Sequence, residues 1–230
     1  MFCKYTIKFE DGQEKVIDID VDPATYTVKP AAGGEPPAWA LLENNKCPMC
    51  PLDGAAHKYC PIAQNLADIT RTFADKASTM VVETRVLTQE REYFKKTSLQ
   101  SALSSVIGIY MVTSGCPVMR ILTPMARFHL PFATLAETVY RSISSYLLRQ
   151  YLRRKKGLEP DWELKKLNEA YKTIETLNLC ITNRVRSASS KDANYNAVII
   201  LDAFAKMVPW NIDRGLSEKD LMLPEEDSRP

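Results

Sequence analysis

Histidine is nearly absent from this chain: two residues in 230, His57 and His129. No HExxH pattern occurs, no Gly-rich phosphate loop and no Ser, His, Asp order, so zinc proteolysis, nucleotide chemistry and serine hydrolysis have no motif to rest on. A surplus of charge is missing too. Thirty Lys and Arg against twenty-eight Asp and Glu leave +2, too even to draw nucleic acid or an anionic membrane as a default partner. The longest apolar stretch, residues 106–112, falls far short of the ~20 residues a bilayer requires. Residues 1–9 alternate Cys3, Tyr5, Ile7 and Phe9 with Lys4, Thr6 and Lys8, a strand pattern with no leader character, so the mature protein is expected to begin there. A cytoplasmic, thiol-reducing setting follows as the expectation, and with it no structural disulfides. What is present is ordinary for a soluble globular protein, 45% apolar and 25% charged residues. A chain of this length buries roughly 70% of its unfolded surface without staples.

Periodicity predicts one α+β domain over residues 1–210: a small antiparallel four-stranded sheet packed against a predominantly helical bundle. Residues 1–28 form a hairpin turning at Asp11-Gly12. Residues 29–60 form a Pro/Gly- and Cys-rich loop. Residues 61–210 are mostly helical, with a second hairpin near 80–96 that turns at 88–90. Helices are expected over 61–73, 99–114 (stopped by Gly115), 132–156 (stopped by Gly157), 161–187 and 193–208 (stopped by Pro209), with a short turn from Pro117. In the fourth, Leu164, Leu167, Tyr171, Ile174, Asn178, Ile181 and Val185 step by three and four, the spacing of a packed seam. Residues 211–230 carry Glu225, Glu226 and Asp227 and read as an acidic tail.

Cysteine is where the chemistry gathers. Four of the six precede proline: Cys47-Pro48, Cys50-Pro51, Cys60-Pro61 and Cys116-Pro117. Proline favours the first position of a helix, so Cys60 and Cys116 read as caps, where backbone N–H groups and the helix dipole would favour a thiolate. Cys47 and Cys50 have the two-residue spacing that lets both sulfurs face one ion, and Cys60 belongs to the same loop. Zinc takes a fourth ligand, and thiolates also hold iron-sulfur clusters. Cys116 is the expected fourth ligand, with His57 and His129 as alternatives. Packed free thiols are the competing explanation. Cys3 and Cys180 sit in apolar patterns without ligand spacing and read as core.

The remaining polar features have structural readings. His129 precedes a helix start, where its cation would be disfavoured, which suits a neutral ligand or acceptor, or a core histidine bonded to a backbone carbonyl. Glu137 and Arg141 stand four apart on one helix and predict an ion pair. Arg149, Arg153, Arg154, Lys155 and Lys156 close a helix and read as dipole capping, with an acidic partner as the alternative. Asp192, Asn194 and Asn196 open the last helix as caps.

The order of Cys-Pro-x-Cys-Pro at Cys47, Tyr-Cys-Pro-Ile-Ala at Tyr59, Ser-Gly-Cys-Pro-Val-Met at Ser114 and Arg-Phe-His-Leu-Pro-Phe-Ala at Arg127 resembles an uncharacterised bacterial family, a domain of unknown function, over residues 47–208. The resemblance implies a cytoplasmic bacterial protein and no activity. Taken together, the residues predict a metal-binding protein whose site at Cys47, Cys50, Cys60 and Cys116, with His129 as a further candidate, pins the long loop to the helices for structure, sensing or binding a protein partner. Zinc is the expected metal and an iron-sulfur cluster the alternative. Two other readings compete: a thiol or iron-sulfur redox enzyme using Cys47 and Cys50 with His129 nearby, and an interaction module with buried thiols.

Overall fold

Strand alternation in the first nine residues builds the centre of the sheet. The computed structural model describes residues 2–28 and 34–214. Strands β1 (Phe2–Phe9) and β2 (Glu14–Asp20) form the opening hairpin, with Gly12 at φ +85, a conformation open to glycine and strained for other residues. β3 (Val81–Thr88) and β4 (Glu92–Ser98) make the second hairpin, and the antiparallel order is β2-β1-β3-β4. Tyr5 stands opposite both Ile17 and Val86, so β1 is flanked on each side. Cys3, Tyr5, Ile7 and Phe9 are buried on one face with Val82, Thr84 and Val86. Only one face of the sheet is covered, which is why period two reads so cleanly.

Helices cover that face. α1 (Pro61–Thr72) begins at Cys60 and buries Ile62, Ala63, Leu66 and Ile69. α2 (Leu99–Val112) leaves β4 without a loop and is buried around most of its circumference, as a helix between two layers must be. α3 (Thr123–Arg127) follows a 3-10 turn at Val118–Leu122. α4 (Leu135–Lys155), α5 (Lys165–Ser187) and α6 (Ala193–Arg214) complete the bundle, α6 packing along both α5 and α2. The seam on α5 is buried at Leu167, Tyr171, Ile174, Asn178, Ile181 and Val185.

Three helix boundaries differ from expectation, each for a local reason. α4 starts at Leu135, not at 132, because Thr134 and Glu137 form a complete capping box and Phe132 adopts φ +59. α5 starts at Lys165, not at 161: Leu164 is left-handed at φ +58, and the Asp161 carboxylate accepts from the Lys165 and Lys166 N–H groups at 3.1 and 2.8 Å. α6 continues through Pro209 to Arg214. Proline inside a helix costs about 3 kcal/mol, and packing of Ala205, Val208 and Pro209, all buried, against the bundle outweighs it. Residues 211–214 are therefore helical, and 215–230 of the expected tail lie outside the described residues, as do 29–33 of the Pro/Gly loop.

The cysteine loop is clamped at its root. Arg184 of α5 is 1% exposed. Its Nη1 donates to the carbonyls of Trp39 and Leu41 at 3.0 and 2.7 Å, and its Nη2 to that of Leu42 at 2.8 Å. Leu41 bridges Tyr59, and Cys60 N donates to the Ala40 carbonyl at 2.9 Å, so both ends of the 41–59 loop leave from one clamped point. Arg184→Met keeps the volume and removes all three donors. We expect it to lower stability by about 3 kcal/mol, read as a reduced urea midpoint at unchanged m-value, with Arg184→Lys recovering less than half because one ammonium cannot reproduce the guanidinium fork.

Candidate functional site

Five of the six cysteines, two in the 41–59 loop and three outside it, are linked pairwise within electrostatic reach. Cys50 N donates to the Cys47 carbonyl at 2.9 Å, a turn that holds the pair, and Cys60 is the backbone cap of α1, 7% exposed. Cys180, on α5, stands beside the Cys47 thiol and helps to raise it. Cys116 is buried and lies within electrostatic reach of Cys60 and Cys50. All six cysteines are free thiols. Among the described residues, no three or more His, Cys, Asp or Glu side chains surround a common point at metal-ligating distance as they stand.

Burial raises two of these thiols, Cys47 and Cys116. The Cys47 thiol is pushed up to about 12, first by burial and then by the neighbouring Cys180, Cys60 and Cys50. Cys116 is also raised: its burial outweighs the N–H groups of Met119 and Val118, which favour the thiolate. The cap geometry expected at Cys116 is thus present in part, and its predicted effect on acidity is reversed by desolvation. Cys3, raised to about 12 by burial alone, is a core residue of β1 as expected. Cys180 departs from expectation, because its partner lies 133 positions away in sequence. His57 is exposed in the loop, its backbone N–H bonded to the Asp53 carbonyl at 2.9 Å.

His129 is held elsewhere. Tyr5 Oη lies 2.6 Å from His129 Nε2 and 2.9 Å from Ser105 Oγ, and Phe132 N donates to Ser105 Oγ at 3.3 Å. The contacts form one continuous chain, from Phe132 through Ser105 and Tyr5 to the ring. Burial, together with the Arg141 charge, pushes His129 down to about 3, so the ring is neutral. Its partner is a phenol from β1, not the backbone carbonyl expected of a core histidine.

The predicted Glu137–Arg141 ion pair gives way to other bonds. Glu137 Oε2 accepts from Thr134 N and Oγ1 at 2.7 and 2.9 Å in the capping box, while Arg141 Nη2 donates to the Met125 and Phe128 carbonyls at 2.9 and 2.5 Å. The groups expected as caps bond chiefly to other segments: Asp192 accepts from Ser78 N and Oγ as well as from Asn196, Asn194 donates to the Thr70 carbonyl, and Arg153 donates to the Glu159 carbonyl beyond the end of α4.

His129 and Cys116 face different spaces. A cavity of about 260 Å³ is lined by His129, Arg141, Tyr171 and Asn178 among apolar side chains of α2, α3 and α6. A cleft of about 990 Å³ is lined by Cys116, Tyr26, Arg120 and Arg149. Sequence reasoning missed Arg184, Cys180 and Asn178 as site residues. The one available signal was that a charged Arg184 falls beside Val185 on the apolar seam of α5.

A four-stranded antiparallel sheet with one helical layer system on one face, and a thiol group under a clamped loop, defines the chain as an α+β domain with a cysteine-rich site. Residues 3–223 match DUF6901, a domain of unknown function, and the chain belongs to that family. No curated protein and no solved structure matches it. No described helix is long and apolar enough to cross a membrane.

The neutral histidine sets an acid limit on stability. A histidine whose folded pKa lies near 3 against an ordinary 6.5 contributes stability above pH 6.5 that is lost as pH falls toward 3, because only the unfolded chain takes up the proton in that window. The urea midpoint should therefore decline between pH 6.5 and 5, where ordinary carboxylates contribute little. His129→Gln should flatten the decline in that interval. An equally steep fall in the variant would contradict the assignment.

Proposed function

We propose that the thiol group binds one soft metal ion, zinc ahead of an iron-sulfur cluster, and thereby fixes the 41–59 loop to α1 and α5. The observation that carries this reading is the convergence of Cys47 and Cys50 from the loop, Cys60 from the α1 cap and Cys180 from α5, with Cys116 close by. A zinc tetrahedron with Zn–S of about 2.3 Å has sulfur edges of about 3.8 Å, and Cys47 and Cys180 already stand side by side. Loading would draw the remaining thiols inward and expel their protons. Cys180 therefore joins Cys116 as a candidate fourth ligand, and His57 and His129 lose support because one faces solvent and the other is bonded to Tyr5.

The raised thiols bear on the competing redox reading. Thiolates are the reactive form, and the folded protein keeps Cys47 protonated at neutral pH. Metal binding reverses this by replacing protons, so affinity should weaken steeply in acid. The proposed role is structural or sensory, in a reducing cytoplasm, with the loop presented to a protein partner.

Elemental analysis of protein purified without oxygen tests the reading. One zinc per chain is the expected outcome, iron with acid-labile sulfide transfers the proposal to a cluster, and protein free of both overturns it. Serine replacement then sorts the ligands. A structural zinc contributes on the order of 10 kcal/mol and a packed thiol roughly 1 to 2. Cys47→Ser, Cys50→Ser and Cys60→Ser should lose metal and lower Tm strongly, and Cys3→Ser should retain it. Whichever of Cys116→Ser and Cys180→Ser releases the ion identifies the fourth ligand.

A further inference from the structure

The cavity beside His129 is independent of the thiols and carries its own unmet chemistry. Asn178 is 2% exposed and lines the cavity, and its Oδ1 is buried with no hydrogen-bond partner. An orphaned acceptor in an apolar setting costs about 1 to 3 kcal/mol, a cost that a ligand donor would remove. At another part of the wall stands Arg141. Its hydrogen bonds to the Met125 and Phe128 carbonyls both use Nη2, leaving Nη1 and Nε unengaged among the described residues. No carboxylate pairs with it there, since Glu137 is committed to the cap of α4. Exposed Lys95 also lines the cavity, with its Nζ 5.9 Å from the centre of the Phe132 ring, and no acidic residue contributes to the described lining. Ser101, Ser104, Ser105 and Thr138 place hydroxyl-bearing side chains in the wall, and most of the rest is apolar, including Met111, Met119, Leu201 and Phe204.

Glu137 is within electrostatic reach of both cations but stands outside the described lining, with its Oε2 taken up by the cap of α4, so the two cationic side chains of the lining select an anion. The spacing along α5 sets its length. Arg141 lies within electrostatic reach of Tyr171, and Asn178 follows Tyr171 by seven residues on the same face, about 10 Å at 1.5 Å per residue. A chain of eight carbons with a carboxylate at one end and a hydroxyl at the other has that reach. For size, an apolar cavity of about 150 Å³ admits benzene, and this one is larger.

We propose that the cavity binds a small apolar monocarboxylate bearing a terminal hydroxyl, with the carboxylate on Arg141, the hydrocarbon body against the methionine, leucine and phenylalanine walls, and the hydroxyl donating to Asn178 Oδ1. Neutral His129 fits this arrangement, because it adds no charge beside Arg141.

Isothermal titration of the full chain with 8-hydroxyoctanoate, octanoate and 1-octanol tests the proposal. Octanoate should bind at least about tenfold more tightly than octanol, the worth of a charge-assisted bond, and 8-hydroxyoctanoate more tightly still. Asn178→Leu should erase the preference for the hydroxyl acid while leaving octanoate binding and stability intact, since it removes only an orphaned polar group. Arg141→Met should bring octanoate down to the level of octanol. If that variant does not fold, as judged by circular dichroism, Lys95→Met provides the second reading and should weaken octanoate at least about threefold. Equal binding of octanoate and octanol, retention of the hydroxyl preference in Asn178→Leu, no change in Lys95→Met, or no binding of any of the three at millimolar concentration would each overturn it.

Discussion

A single buried guanidinium organises the cysteine side of this protein. Arg184 has no carboxylate partner among the described residues, and its two terminal nitrogens are engaged by three main-chain carbonyls of residues 39–42, with Nε left buried and unbonded. A charge taken out of water is tolerated only when its donors are engaged. The residues it binds therefore cannot drift, and the loop that starts there is held over the C-terminal half of α5. Without that clamp the loop would rest on its packing against the core, the bonds of Lys58 and Tyr59 to Glu35 and the contact with the start of α1.

α5 is the element both sites share. Tyr171, Ile174 and Asn178 line the cavity, while Cys180 and Arg184, further along and rotated about the axis, meet the loop. Each site has an arginine held by backbone carbonyls, and the difference between them is instructive. Arg184 spends both terminal nitrogens on the protein and is closed off, whereas Arg141 spends one and keeps the rest of its fork toward an open space. The first is a structural clamp, the second a positive group available to a ligand.

Burial sets the chemistry on both sides. It keeps the Cys47 and Cys116 thiols protonated, overriding the backbone N–H groups at Cys116, and it keeps His129 neutral. Position relative to a helix end thus proved a weaker influence than exclusion of water. The dipole and the N–H bonds act over one turn of helix, and the desolvation of a charge acts wherever the side chain ends up.

The sequence by itself determined everything governed by near neighbours. The alternation of residues 3–9 produced β1, Asp11-Gly12 its turn, Pro61 the start of α1, Gly115 and Gly157 the ends of helices, and the three-four spacing after Leu167 the buried face of α5. The family resemblance and the pairing of Cys47 with Cys50 were legible for the same reason. The starts of α4 and α5, expected at 132 and 161 and found at Leu135 and Lys165, were misplaced because side-chain caps compete with the pattern over three or four residues. What only the tertiary structure decided was which distant groups meet: Arg184 with Leu41, 143 positions apart, Tyr5 with His129, 124 apart, and Cys180 with Cys47. Such pairings depend on how α5 and α2 lie against the loop and the sheet. Local periodicity specifies which face of a helix is buried and carries no information on what that face will touch.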